Sequence, residues 1–191
     1  MSQTSDIIII GGGIAGIGAG ARMAADARVT VLEAEEAIGY HSTGRSAAIF
    51  IRNYGNATLR ALNAASEPLF MQPEGISEDS LLTPRGLLYV ALEEHLGDLE
   101  AILEGATGME RLNADEAVAR VPILKRDTIA AAAIEPGAQD IDVDRLLQGF
   151  ARMLRHRGGA IVNKAPVTAI SRENGTWTLD TLQGSFSAPV I

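Results

Sequence analysis

The pattern that most constrains this chain lies in residues 6–33. Asp6-Ile7-Ile8-Ile9-Ile10 runs straight into Gly11-Gly12-Gly13-Ile14-Ala15-Gly16, and Arg28-Val29-Thr30-Val31-Leu32 leads into Glu33. A short β-branched run with no polar interruption suits a strand buried on both faces. The small residues Ala15, Gly16, Ala19 and Gly20 suit a helix that lies close to that strand. Strand, glycine turn, helix and second strand make a βαβ unit. In such a unit Gly11 permits the tight turn, Gly13 lets the backbone approach a pyrophosphate, and Gly16 lets helix and sheet pack closely. The helix N-terminus adds free N–H donors and a positive dipole end. Glu33 stands 17 residues beyond Gly16. A carboxylate there accepts hydrogen bonds from ribose hydroxyls and repels a 2′-phosphate, which argues against NADP.

Composition narrows the class further. The chain has 191 residues, is 47% hydrophobic and carries a net charge of −8. That is enough for one sizeable domain and part of another. An acidic chain without a basic stretch is a poor match for nucleic acid. With no cysteine, neither a thiolate nucleophile nor a cysteine-based metal site arises. The acids at 33, 35 and 36 have no histidine at ligand spacing, so no metal is expected. The apolar runs 7–10, 47–51 and 129–134 are too short to span a bilayer, and residues 1–5 lack a basic leader. A cytoplasmic location is the expectation.

Residues 34–58 show no clean periodicity and are rich in Gly, Ser and Thr. A long irregular segment directly after the ribose acid reads as a functional loop. Residues 59–72 and 93–104 read as helices, 87–92, 109–112 and 129–134 as strands, and 114–120 as a helix capped by Asn113. Asp142 caps a strongly amphipathic helix built on Val143, Leu146, Leu147, Phe150 and Leu154. Strands follow at 160–162, 167–171, 177–181 and 184–188, with a hairpin turn at Asn174-Gly175. Pro189-Val190-Ile191 reads as the start of another buried strand, so the chain is expected to be the amino-terminal portion of something longer.

Gly39-Tyr40-His41-Ser42-Thr43-Gly44-Arg45-Ser46-Ala47-Ala48 is the second informative string. Together with GGGIAG and VLEAE it resembles the D-amino-acid oxidase superfamily of FAD-dependent oxidoreductases, and within it the bacterial D-amino-acid dehydrogenases of the D-arginine type. The likeness runs the length of the chain, through RALNAAS (60–66), LLTPR (81–85), VPILKRD (121–127) and DIDVDRLLQGF (140–150). It implies an α/β fold, a Rossmann-like FAD-binding domain with part of an α+β substrate domain inserted. The expected division is 1–66 and 137–191 for the FAD-binding domain and 67–136 for the start of the substrate domain. By this resemblance Gly11, Gly13, Ile14, Ala15 and Gly16 hold the pyrophosphate of a non-covalent FAD. Glu33 with Ala34 meets the adenosine ribose, and Val167 meets the adenine through its backbone. Ser42, Thr43, Ser46, Ala47 and Ala48 line the path to the isoalloxazine. Small residues and short hydroxyls let backbone N–H groups reach phosphate and flavin oxygens.

The chemistry the family implies is hydride transfer from the Cα of a D-amino acid to flavin N5, with hydrolysis of the imino acid to a 2-oxo acid and ammonia. The Arg and Tyr that grip the substrate carboxylate belong to the family's downstream half, which a longer chain or a second chain would supply. Two departures matter. Ile49 stands where the D-arginine enzyme has His, and Leu87 where it has an acid for the guanidinium. Their loss predicts a smaller or more apolar substrate than D-arginine. Tyr54, in the loop that borders the family's active site, is the substrate-side candidate beside Ile49, as a lid contact or simply a half-buried aromatic. Glycine, sarcosine or 2-hydroxy-acid oxidation on the same scaffold, and a flavin-binding fragment without turnover of its own, remain the alternatives. Oxygen, a quinone and a carrier stay open as electron acceptors.

Overall fold

The run of isoleucines does form a strand with two buried faces. In the computed structural model, which describes residues 3–191, Ile7 and Ile9 pack toward two helices while Ile8 packs toward an antiparallel sheet. In chain order the strands and helices are β1 (Gln3–Thr4), β2 (Ile7–Ile10), α1 (Ile14–Met23), β3 (Val29–Leu32), β4 (Ile49–Phe50), α2 (Ala57–Met71), β5 (Leu82–Pro84), β6 (Leu87–Ala91), α3 (Leu96–Leu103), β7 (Glu110–Leu112), α4 (Ala114–Arg120), β8 (Ala131–Glu135), β9 (Gln139–Ile141), α5 (Val143–His156), β10 (Ala160–Val162), β11 (Val167–Glu173), β12 (Thr176–Thr181) and β13 (Gly184–Ala188). Short 3-10 turns occupy Glu93–His95 and Arg126–Thr128.

Two units result. The first comprises Met1–Ala47, Pro73–Asp79 and Asp142–Ile191; the second comprises Ala48–Gln72 and Ser80–Ile141. The first unit has three layers. Its middle layer is a parallel sheet in the order β10-β3-β2, with Ile8 opposite Thr30 and Ile161 opposite Val31. On one face α1 and α5 close a core of Ile17, Ala21, Val29, Val31, Leu147, Ala151 and Leu154. On the other, Ile8 and Leu32 meet Leu179, Phe186 and Ala188 from the sheet β1-β13-β12-β11. The turn between β11 and β12 is Asn174-Gly175, both at positive φ, as its Asn-Gly sequence predicts. Asp6 and Arg28 pin the entrances of β2 and β3. One Asp6 oxygen accepts from the Arg28 backbone N–H at 2.8 Å and the other from the guanidinium at 2.7 Å. This pairing lowers the Asp6 pKa to about 2.

α5 is capped by Asp142, whose Oδ1 accepts from Arg145 N at 2.9 Å. Of the arginines near its end, Arg157 donates to the Ala21 carbonyl at 2.7 Å and Arg152 to the Ile76 carbonyl at 3.0 Å. They act as ties between packed segments. The strand expected at 189–191 is a single parallel bridge, Ile7 with Val190, in which Ile8 N donates to Val190 O.

The second unit holds two small antiparallel sheets, β4-β9-β5 and β6-β8-β7. The latter lies between α3, which packs Leu99 on Ala91 and Ala133, and α4, which packs Ala117 on Leu112 and Ala132. α4 carries a full capping box between Asn113 and Glu116. Residues 48–72 pack within this unit because β4 pairs with β9 and Phe50 stacks edge-on to Phe70 at 5.9 Å between centroids.

Candidate functional site: a glycine cradle tied to Glu33

The glycine turn has the geometry its sequence demands. Gly11 sits at φ +106°, which only glycine adopts without strain. A Cβ on Gly16 would lie 2.0 Å from the Gly11 carbonyl oxygen, so α1 approaches its own turn as closely as a helix can. Gly13 precedes the helix and has no side chain to cap it, and the first turn of α1 holds no acidic residue. Of the helix's leading amides, which have no intrahelical acceptor, Ile14 N donates to Thr43 Oγ1 at 3.0 Å. Thr43 is 8% exposed and reaches the turn from a loop 29 residues away.

Glu33 is built into the same turn. Its carboxylate, 7% exposed, accepts from Gly12 N at 2.7 Å through Oε2 and from Glu35 N at 2.9 Å through Oε1. Each oxygen keeps a lone pair for a ribose hydroxyl. The backbone around it is fixed from β10, since Glu33 N donates to Val162 O and Ala165 N to Glu33 O. Gly12 then closes the ring, because its carbonyl accepts from Gly39 N at 3.0 Å. Glycine turn, ribose acid and loop 39–44 thus form one hydrogen-bonded assembly.

Three glycines in this assembly had no assigned part in the sequence reading. A Cβ on Gly12 would stand 2.8 Å from Glu33 Oε2. One on Gly39, at φ +75°, would stand 2.5 Å from Leu147 Cδ2, and one on Gly44 2.6 Å from the Gly39 carbonyl oxygen. The five-residue spacing of Gly39 and Gly44 within an aperiodic segment was the available signal. Ile14, Ala15, Ser42, Thr43, Ser46 and Ala47 belong to the same unit, with Ala15, Ser42, Ser46 and Ala47 exposed and Ala34 exposed beside Glu33. Val167 opens β11 and is half-buried against the Ile8–Leu32 core. His41 pairs with Glu35 at 2.8 Å, and Arg45 lies over the Tyr40 ring at 5.2 Å rather than in an ion pair.

The remaining predicted residues lie in the second unit. Ala48 adopts φ +55°, an uncommon conformation for a residue with a Cβ, and its carbonyl accepts from Ile141 N at 2.7 Å. Ile49 is half-buried opposite Asp140, and Tyr54 is 64% exposed. Leu87 pairs across the sheet with Glu135, which is 2% exposed. Glu135 lines a cavity of about 290 Å³ with Thr107, Gln139 and the ion-paired Arg52 and Glu67. Tyr89 OH points to Glu135 Oε2 at 3.5 Å; burial, and then the neighbouring carboxylate, raise the phenol pKa to about 12. Among the described residues no group of three His, Cys, Asp or Glu is placed to hold a metal, and no helix is long and apolar enough to cross a membrane.

A parallel βαβ unit with a bare helix N-terminus, a glycine turn and a strand-end carboxylate defines a dinucleotide-binding domain. A pyrophosphate fits the side-chain-free turn, and a ribose with both hydroxyls fits the acid. The family model for FAD dependent oxidoreductases (DAO) matches residues 6–191, and the chain belongs to that family. It is 28% identical over 194 residues to L-2-hydroxyglutarate dehydrogenase of Escherichia coli (strain K12), covering 94% of this chain and 44% of that protein. Glycine oxidase from Geobacillus kaustophilus superposes with a TM-score of 0.80 at 24% identity, over 99% of this chain and 55% of that one. L-alpha-glycerophosphate oxidase from Mycoplasma pneumoniae, solved with FAD bound, gives 0.83 at 18% identity, over 98% and 53%. The chain therefore spans about half the length of the relatives it matches.

Proposed function

We propose that this chain is the cofactor-holding part of an enzyme that oxidises the Cα–N bond of a D-amino acid. The observation that carries the reading is the closed assembly of Gly12, Glu33, Gly39 and Thr43 around a helix start whose N-cap glycine has no side chain. Gly13, Ala15 and Gly16 offer backbone donors to the pyrophosphate of a non-covalently held FAD, while Gly11 and Ile14, whose amides bond Leu32 O and Thr43 Oγ1, shape the turn that receives it. Glu33, beside Ala34, takes the adenosine ribose, and the backbone of Val167 takes the adenine. Ser42, Thr43, Ser46, Ala47 and Ala48 follow the cofactor toward its ring. The second unit, Ala48–Gln72 and Ser80–Ile141 in place of the 67–136 expected from sequence, begins the substrate domain, and the groups that grip the substrate carboxylate come from outside this chain, in a longer polypeptide or a second one.

When bound, FAD supplies a hydride acceptor at N5. The substrate amine arrives neutral, so no protein base is needed. That chemistry would take the Cα hydrogen as hydride and release one N–H proton to solvent, leaving an imino acid that water would convert to a 2-oxo acid and ammonia. Ile49 and Leu87 present apolar surface where a polar side chain would need partners, which favours small or apolar D-amino acids. Tyr54 contacts the substrate or its entrance.

A second reading, oxidation of a 2-hydroxy acid, draws on the similarity to L-2-hydroxyglutarate dehydrogenase. One experiment separates the two. The FAD-loaded protein, together with the polypeptide that supplies the carboxylate-gripping groups, is mixed anaerobically with D-alanine, D-valine, D-leucine, D-arginine, sarcosine and L- and D-2-hydroxyglutarate, and the visible flavin bands are followed. Bleaching by the apolar D-amino acids, with D-arginine slower, is the expected result. Bleaching by a hydroxy acid or sarcosine while every D-amino acid leaves the flavin oxidised would establish the alternative.

A further inference from the structure

Tyr54 is exposed, yet the backbone on both sides of it is held fast. The preceding residue, Asn53, is 6% exposed and spends its side chain entirely on neighbours. Its Nδ2 donates to the Thr107 carbonyl at 3.0 Å, and its Oδ1 accepts from Thr107 N at 2.9 Å. The amide thus mimics a strand partner for one residue, Thr107. The same Nδ2 donates to Glu135 Oε1 at 2.9 Å, and Asn53 N donates to that oxygen at 3.3 Å. Glu135 has its other oxygen against Tyr89 OH.

On the far side, Gly55 sits at φ +80° with no room for a Cβ, which would meet Leu59 Cδ1 at 2.6 Å. Its carbonyl accepts from Arg60 Nε at 2.9 Å, and Arg60 also donates to the Glu104 carbonyl at 2.9 Å. Asn56 caps α2 by accepting from Leu59 N at 3.1 Å. Every residue from 53 to 56 except Tyr54 is therefore committed to a turn, a cap or a clasp. A mobile surface loop needs no buried amide and no buried carboxylate to hold it. Such an arrangement costs side-chain entropy and desolvation, and is understandable where an exposed side chain set between tied residues must keep a fixed direction.

We propose that Asn53 is a positioning residue for the reaction, aiming Tyr54 at the substrate through its clasp on Thr107 and Glu135. Glu135 serves as the anchor of the clasp and needs to accept hydrogen bonds, not to carry charge toward the ligand. The inference rests on the substrate-side reading of Tyr54 given above.

The test uses the FAD-loaded protein together with the polypeptide that supplies the carboxylate-gripping groups, and pairs substrate kinetics with hydrogen exchange. In Asn53→Ala the amides of residues 54 and 55 exchange faster, and KM for the best D-amino acid rises about tenfold with a smaller change in kcat. Tyr54→Ala raises KM on its own, and adding Asn53→Ala to it raises KM no further, because the two act through one side chain. Glu135→Gln keeps both acceptor bonds to Asn53 and leaves KM and exchange near the parent, whereas Glu135→Ala reproduces the Asn53→Ala pattern. If Tyr54→Ala raises KM while Asn53→Ala lowers only the melting temperature, the clasp is structural and the proposal is overturned, with Tyr54's role intact. A KM shift in Glu135→Gln with unchanged exchange overturns it too, by making Glu135 a ligand group. If Tyr54→Ala leaves KM unmoved, the substrate-side reading itself fails and this inference falls with it.

Discussion

α5 and α2 are nearly equal in length, 14 and 15 residues, and both alternate apolar and polar positions at the helical period. α5 buries Leu146, Leu147, Gly149, Ala151 and Leu154, of which Leu147, Ala151 and Leu154 join the core with α1 and the parallel sheet while Gly149 faces Ile76. α2 buries no residue at all, and Leu62 and Leu69 on one of its faces are 58% and 63% exposed. The unit containing α5 has two continuous cores, one on each face of its middle sheet. The unit containing α2 relies on small clusters, several centred on alanine. The contrast teaches that amphipathic periodicity records a need for a partner and not where the partner comes from. The dinucleotide cradle brings its own packing, while the second unit leaves an apolar face of α2 exposed.

Three substitutions test this contrast, in falling order of effect. Gly16→Ala drives a Cβ into the Gly11 carbonyl at 2.0 Å. Backbone must move, so a loss of about 3 kcal/mol or more in stability and failure to retain FAD are expected. Denaturant titration and flavin fluorescence after gel filtration measure the two. Leu154→Ala empties a fully buried site between α5 and the sheet. It should cost roughly 2–5 kcal/mol, read as a lower urea midpoint at unchanged m-value. Leu62→Ser on α2 should shift stability of this chain by no more than about 0.5 kcal/mol. A loss as large as that of Leu154→Ala would mean that α2 is packed after all, and would erase the distinction between the two units.

Much of the first unit was legible because its signals are local. Four isoleucines before a triple glycine, Asp142 before an amphipathic run, and Asn174-Gly175 between alternating segments each name their structure within a few residues. The Asn113 cap of α4 was legible for the same reason, though not the return bond from Glu116 that completes its capping box. The two- and three-residue strands β4, β5 and β9 were not, since only their partners make them strands. The site divides the same way. Gly11, Gly16 and Glu33 follow from spacing within the βαβ unit. Thr43 entered only through resemblance, because its hydrogen bond to Ile14 N joins residues 29 apart with no pattern between them. Gly12 escaped notice because the collision that requires it involves a carboxylate 21 residues away. Asn53 and Glu135, 82 residues apart, lie in segments whose composition gives no hint that they meet.

The pairing of β3 with β10 carries a consequence for the order of events during synthesis. Leu32 lies beside Val162, and Glu33 N donates to the Val162 carbonyl. Glu33 is thus held by a residue that leaves the ribosome 129 positions later than it does. At roughly 5–20 residues per second, that delay is on the order of ten seconds. Until then the glycine turn can form locally, but its carboxylate has no fixed backbone and α1 has no α5 to lie against. Cofactor capture on the growing chain is therefore timed by the arrival of β10, and a nascent chain arrested before residue 160 should release flavin that a chain arrested after β13 retains.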